Sequence, residues 1–255
     1  MKLRVVILVV LFLFINKEIY ASRKNEYKII NNVFAINNYS RSVLKDKNKI
    51  DSLFSHNVTP ITGIYIAFDA KKPALLKDLD LFFLNWGDYF TKLEKVKIVN
   101  YAYKTFPEVF MNFSSINSID VTSLFTLESF PENVKQLRNL RALDLYKCNI
   151  TNDGLATLLD NLNAKSLSFL RITSGGHFSI IPSNLCRFAN LSYVNFCDNS
   201  IISLDSCVYD MPQLKFFLLG KMRRNSVRNF NISDDFISEV EAGFINRGRN
   251  NVFVK

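Results

Sequence analysis

One spacing recurs along this chain and governs what it can fold into. It runs apolar, two free positions, apolar, one free position, apolar. The copies are Leu93-Val96-Ile98, Ile116-Ile119-Val121, Leu140-Leu143-Leu145, Leu167-Leu170-Ile172, Leu191-Val194-Phe196 and Leu214-Phe217-Leu219. Successive copies start 23, 24, 27, 24 and 23 residues apart. A period of this size marks a stacked repeat, in which one unit cannot bury its apolar face alone and neighbours must supply the rest of the core. The last two apolar positions of each triplet are two apart, the period of a strand with one buried face.

Between the triplets a second pattern appears. Phe106-Pro107, Phe130-Pro131 and Ile181-Pro182 each open a run of apolar residues at three-residue steps. These runs are Phe110-Phe113-Ile116, Val134-Leu137-Leu140 and Leu185-Phe188-Leu191. The segment after Ile150 differs: Thr151-Asn152-Asp153-Gly154-Leu155 followed by Leu158-Leu159 reads as a helix start and its apolar face. A helix consumes more residues per unit advance than an extended return, which accounts for the 27-residue step.

Two copies continue into a longer signature: Cys148 and Ile150 follow Leu145, and Asn199 and Ile201 follow Phe196. The pattern thus resembles the leucine-rich-repeat family, L-x-x-L-x-L-x-x-[NC]-x-L. The resemblance covers roughly half the chain. It implies an α/β repeat solenoid, a leucine-rich-repeat horseshoe with a parallel concave β-sheet. In that family the Asn or Cys position closes the turn after the strand. Here it falls on Tyr101, Leu124, Cys148, Gly175, Asn199 and Met222. Four of the six depart from the family, so a poor ladder and an irregular arc are expected. The Asn, Lys, Ile and Phe bias, together with short irregular repeats, resembles secreted repeat proteins of eukaryotic parasites such as microsporidia.

The ends divide the chain further. Residues 1–21 have a basic start at Lys2 and Arg4, an apolar run over Val5–Ile15 and a polar stretch ending in Ala21. That is the layout of a secretory signal peptide, and the run is too short to span a bilayer. An uncleaved anchor or a buried strand is the other reading. No membrane span is expected after cleavage, and the net charge falls from +9 to +7. Residues 22–60, with apolar clusters at Ile29-Ile30 and Val33-Phe34-Ala35, are expected to form an N-terminal cap. Residues 61–220 hold six or seven repeats. The seventh is Ile61-Ile64-Ile66 followed from Pro73 by a helical pattern through Leu75, Leu76, Leu79, Phe82, Phe83, Trp86 and Phe90. Residues 221–255 read as a C-terminal cap whose helix starts at Ser233.

The sequence excludes several chemistries. There is no phosphate-loop or dinucleotide fingerprint, and the four cysteines form no C-x-x-C zinc pattern. His56 and His177 have no nucleophile or carboxylate at a recognisable spacing. We expect no cofactor, no metal and no enzymatic activity. Six N-x-[ST] sequons, at Asn38, Asn57, Asn112, Asn149, Asn190 and Asn231, fit an extracellular route and a glycoprotein. Of the cysteines, Cys148 at a turn position reads as a buried thiol, and Cys197 lies two repeats from it. Cys186 and Cys207 fall in adjacent returning segments, where a bridge could join them.

Since the concave face commonly binds a protein in the family resembled, the free strand positions are the candidate site. The third position of the signature gives Lys95, Ser118, Ala142, Phe169, Tyr193 and Phe216. Three successive aromatics, about 5 Å apart as adjacent strands lie, suit anchoring of a protein partner. Two structural readings stay open: a C-terminal segment folds over them, or they stack on one another. The fifth position gives Lys97, Asp120, Asp144, Arg171, Asn195 and Leu218, with mixed signs that argue against nucleic acid. The alternative function is polyanion or glycan binding by the basic run Lys221, Arg223, Arg224 and Arg228.

Overall fold

The structure is a computed structural model that describes residues 27–39, 46–57, 59–69, 75–175, 177–221 and 232–254. The signal-like segment 1–21, Pro73 and the positions of Arg223, Arg224 and Arg228 lie outside them. In chain order the elements begin with β1 (Tyr27–Ile30), β2 (Val33–Tyr39), α1 (Lys47–Ser55), β3 (Gly63–Phe68), α2 (Leu76–Trp86), β4 (Lys95–Tyr101) and β5 (Ser118–Ser123). They continue with β6 (Ala142–Tyr146), α3 (Asn152–Asn161), β7 (Phe169–Thr173), β8 (Ile180–Ile181) and β9 (Tyr193–Asn195). The last are β10 (Ser203–Leu204), β11 (Phe216–Leu218), α4 (Asp234–Asn246) and β12 (Phe253–Val254).

Ten of these strands form one sheet in the order β1-β2-β3-β4-β5-β6-β7-β9-β11-β12. Among the described residues only the β1–β2 hairpin at its edge is antiparallel; every other pairing in the sheet is parallel. Helices and short 3-10 turns come between the strands at regular intervals, the layout of an α/β repeat solenoid. The repeat register is the register of the sheet: Ile64, Val96, Ile119, Leu143, Leu170, Val194 and Phe217 pair successively across it. All eighteen triplet positions named above are at most 2% exposed. They belong to one continuous apolar core that runs from Tyr27 to Val252.

The returning segments close the other side of that core. Pro107, Pro131 and Pro182, with φ of -62°, -66° and -79°, each enter a 3-10 turn: Glu108–Asn112, Glu132–Gln136 and Ser183–Arg187. The fixed φ of proline suits this entry, where its missing N–H costs nothing. Phe110, Val134 and Leu185 point inward from these turns. The third return is the α-helix expected there, its N-terminus capped by the Thr151 side chain, which accepts from Gly154 N at 3.1 Å.

The two apolar clusters assigned to an N-terminal cap are β1 and β2, and β2 pairs in register with β3. Phe34 and Ile36 therefore join the rows of Ile64 and Ile66, so the sheet begins before the first recognised triplet. Phe34 centres an aromatic cluster, with Phe54, Phe82 and Phe90 at centroid distances of 4.9, 5.8 and 6.0 Å. At the other end α4 starts at Ser233, whose hydroxyl accepts from Phe236 N, as the sequence predicts. Its Val240 and Phe244 are buried, and Phe244 sits edge-on to Phe217 at 5.9 Å, covering the end of the core.

The turns after the strands are more uniform in backbone than in side chain. Asn100, Lys147, Ser174 and Asp198 all adopt φ of 57–58° directly before the turn position. The next residue then differs in each repeat. Asn199 donates its amide to the carbonyls of Ile172 and Phe196 at 2.7 and 2.8 Å. Cys148 is a buried thiol, its pKa pushed up by burial and by the nearby Asp144 carboxylate. Leu124, one of the four departures from the family's turn residue, is 40% exposed, and Ser123 serves in its place. The Ser123 hydroxyl donates to Tyr101 O at 3.0 Å and accepts from Thr126 N and Leu127 N.

Cys186 and Cys207 form a disulfide with Cα atoms 6.0 Å apart, tying the turn Ser183–Arg187 to the turn Ser206–Asp210. The bridge closes a loop of 21 residues, worth about 3 kcal/mol in the chain-entropy account. The double substitution Cys186→Ala and Cys207→Ala is expected to lower the unfolding free energy in urea by about that amount. An unchanged midpoint would show that the bridge adds nothing to the stacked turns.

Candidate functional site

Parallel pairing carries the free strand positions into straight rows on the face opposite the core, called here the front face. The row of third positions is Gly63, Lys95, Ser118, Ala142, Phe169, Tyr193 and Phe216. The three predicted aromatics are thus neighbours. Phe169 and Tyr193 stack in parallel, with centroids 4.6 Å apart and planes 5° from coplanar. Phe216 follows at 5.9 Å with a 45° tilt. Of the two structural readings left open by the sequence, mutual stacking is seen. Among the described residues of the C-terminal segment, β12 lies beside the column: it pairs with β11, and Phe253 becomes a fourth aromatic in the row.

Phe253 escaped the sequence reading because a two-residue strand has no periodicity to detect. It stands 6.1 Å from Phe216 and is 52% exposed. Its placement depends on Arg249, whose guanidinium donates to Met211 O at 2.6 Å and to Leu214 O at 2.9 Å. Phe253 N then donates to Lys215 O at 2.8 Å. Phe253 N thereby takes the Lys215 carbonyl in the way that Lys215 N takes the Ser192 carbonyl of the repeat before it.

The second row runs Lys97, Asp120, Asp144, Arg171, Asn195 and Leu218. Its charges read plus, minus, minus, plus, and they pair outward. Lys97 Nζ lies 2.9 Å from Asp120 Oδ2. Arg171 grips Asp144 with two bonds, Nε to Oδ1 at 2.6 Å and Nη2 to Oδ2. Asp120 and Asp144 are 7% and 5% exposed, so these carboxylates are committed within the sheet. Asn195 is occupied as well: it donates to Tyr193 Oη at 3.1 Å and accepts from Cys197 N at 2.9 Å. This fixes the ring of Tyr193 from its hydroxyl end. The polar row therefore braces the aromatic row.

Burial and the facing Asp120 carboxylate outweigh Arg171 and raise the Asp144 pKa to about 6 from an ordinary 3.8. Over that interval the folded chain holds a proton that the unfolded chain has released. Stability contributed by this group is therefore fully present only below about pH 3.8 and is lost as pH rises through about 6. Comparing urea unfolding of the native chain with Asp144→Asn between pH 4 and 7 checks this. The native chain is expected to lose more stability over that interval than the variant; equal slopes contradict the assignment.

A third zone was not legible in the sequence. Ala35, Tyr65 and Val99 form a separate apolar cluster with Val33 and Ala67, all on β2, β3 and β4. Ala35, Tyr65 and Lys97 are register partners, so this cluster begins where the charged row ends. Along the sheet the front face thus changes from a buried apolar cluster around Tyr65 through an ionic zone to an aromatic one. Lys221 of the alternative site is exposed, while Arg223, Arg224 and Arg228 lie outside the described residues. His56 is at the surface, with Nδ1 2.6 Å from Ser52 O. Among the described residues no group of three or more His, Cys, Asp or Glu could hold a metal ion, and no helix is long and apolar enough to cross a membrane. No protein-family model matches the chain, and no curated protein sequence matches it.

Proposed function

We propose that the chain is a secreted leucine-rich-repeat protein that binds another protein, without catalysis, through the front face of its sheet, the concave side of a horseshoe. The observation that carries this reading is the in-register column Phe169–Tyr193–Phe216. Large apolar side chains on the non-core face of a sheet are an unusual arrangement and suit the anchoring role aromatics take at interfaces. The register of the triplets and the repeated left-handed residue after the strands support the family. The signal-like segment 1–21 and the sequons support secretion, and so does the Cys186–Cys207 disulfide, because such bridges persist in oxidising compartments. The Asn, Lys, Ile and Phe bias supports a source among eukaryotic parasites such as microsporidia.

Affinity capture on the full secreted chain from its natural surroundings, followed by mass spectrometry, tests the reading. The expected result is a protein recovered well above background. Recovery of anionic glycan with no protein above background would instead favour binding through the basic run at residues 221–228.

A further inference from the structure

We infer that the partner presents an acidic amphipathic helix, laid across the strands over the aromatic column. This rests on the front face being the binding surface and adds the chemistry of what it binds. Two observations point to it, one of charge and one of spacing.

Among the described residues, the exposed charge beside the column, from the β6 repeat to the β11 repeat, has one sign; the exposed Glu94 lies two strands further along the same rim. Along the N-terminal rim, Arg141, Ser168, Ser192 and Lys215 are successive neighbours: Ser168 N donates to Arg141 O, Ser192 N to Ser168 O and Lys215 N to Ser192 O, each at 2.9 Å. Arg141 and Lys215, both exposed, stand at the two ends of this rim. At the opposite rim Lys147 follows β6 and the exposed Lys221 follows the last triplet. The carboxylates of the same stretch are buried and partnered. Asp144 is gripped by Arg171, and Asp198 is 4% exposed and accepts from Ser174 Oγ. A cationic frame around an apolar centre is complementary to an apolar stripe flanked by Asp or Glu.

The rings select among anionic partners. Phe169 and Tyr193 each cover one face of the other, and Phe216 closes on Tyr193 from the next strand, so Tyr193, the centre of the column, is flanked by rings on both sides. Stacking of a base or a sugar ring needs a free face. Ring edges suit aliphatic side chains, and being the positive part of the aromatic quadrupole they favour nearby carboxylates. Successive centroids along the column are 4.6, 5.9 and 6.1 Å apart. An α-helix advances about 5.4 Å per turn, so one side chain per turn meets one ring per strand. An extended peptide repeats a face only about every 6.6–7 Å and drifts out of step over four strands.

The test is selection on the full immobilised chain from a displayed library of helical peptides. Each peptide carries a fixed leucine stripe at i, i+3 and i+4 spacing and random polar flanks. The expected winners carry Asp or Glu flanks, bind at least tenfold more weakly when those flanks are changed to Lys, and lose binding on a central proline insertion. Their association slows with added salt. On Arg141→Glu with Lys215→Glu, a surface pair that leaves the core untouched, the preference should shift to basic flanks. Enrichment of neutral or basic flanks, binding that tolerates the proline, or no enrichment at all overturns the inference. Those results leave the front-face reading in place if binding is still lost with Phe169, Tyr193 and Phe216 replaced. Binding that survives that replacement overturns both.

Discussion

Replacing Phe169, Tyr193 and Phe216 together with serine is expected to abolish capture of the partner, a loss of at least roughly 100-fold in affinity. The fold should survive. The three rings contact one another and Phe253 in three pairs, each worth about 0.5–1.5 kcal/mol. The expected cost in stability is therefore about 2–4 kcal/mol. The core side of the same strands is untouched, because Leu170, Val194 and Phe217 are fully buried on the opposite face. Surface plasmon resonance for binding and urea unfolding for stability read the two effects separately. Loss of binding together with loss of cooperative unfolding would mean that the column is structural. Retained binding would place the interface elsewhere. Tyr193→Ser alone should carry the largest single share, since Tyr193 stands between two rings and is held by Asn195.

The second large effect is expected at Gly175. A Cβ built there would lie 2.5 Å from the carbonyl oxygen of Cys148, the turn residue of the preceding repeat. The obstacle is backbone, so it cannot rotate away; the stacked turns must separate. Gly175→Ala is expected to cost about 3 kcal/mol, the upper range for overpacking. For a chain of this size that corresponds to a fall of roughly 6–12 °C in Tm. Gly87→Ala is the control. Its Cβ meets nothing within 4 Å and its φ is -55°. That change should be neutral or stabilise by about 0.4–1 kcal/mol, through the unfolded chain. Calorimetry of the two variants distinguishes a crowded turn from a general intolerance of change at glycine.

The sequence carried the architecture because burial in a stacked sheet is periodic. Every triplet residue is inside, and the register that aligns the triplets also aligns the free positions between them. That is why the neighbours Phe169, Tyr193 and Phe216 could be named from spacing alone. Where a function passes from side chain to backbone, spacing says less. The turn after each strand depends on a left-handed φ at Asn100, Lys147, Ser174 and Asp198, and these four residue types share no visible pattern. Ser123 replaces Leu124 at the turn because the register shifts between Val99 and Tyr101 on the adjoining strand, which no count of residues reveals.

The site was legible to a similar depth. Positions could be read, but their partners could not. Lys97, Asp120, Asp144 and Arg171 read as a mixed-charge surface open to a ligand. In three dimensions each charge has an opposite neighbour one strand away. Sequence distances of 23 and 27 residues hide contacts that the sheet makes adjacent. Phe253 and the Ala35-Tyr65-Val99 cluster were missed for another reason. The first lies in a strand too short to show alternation, and the second lies on strands read as cap and first repeat. Phe253 extends the aromatic row by one strand, and the buried cluster continues the apolar side chains of the face onto β2 and β3.

The most direct test of the front-face assignment is site-specific photo-crosslinking. A benzophenone side chain is placed in one sample at Leu218, a front-face position beside the aromatic column and the register partner of Asn195. In another it replaces Leu84, which is 80% exposed on helix α2. Each full chain is irradiated with the captured partner and the products are mapped by mass spectrometry. The account predicts crosslinks from position 218 and none above background from position 84. Crosslinks from position 84 with none from position 218 would contradict it.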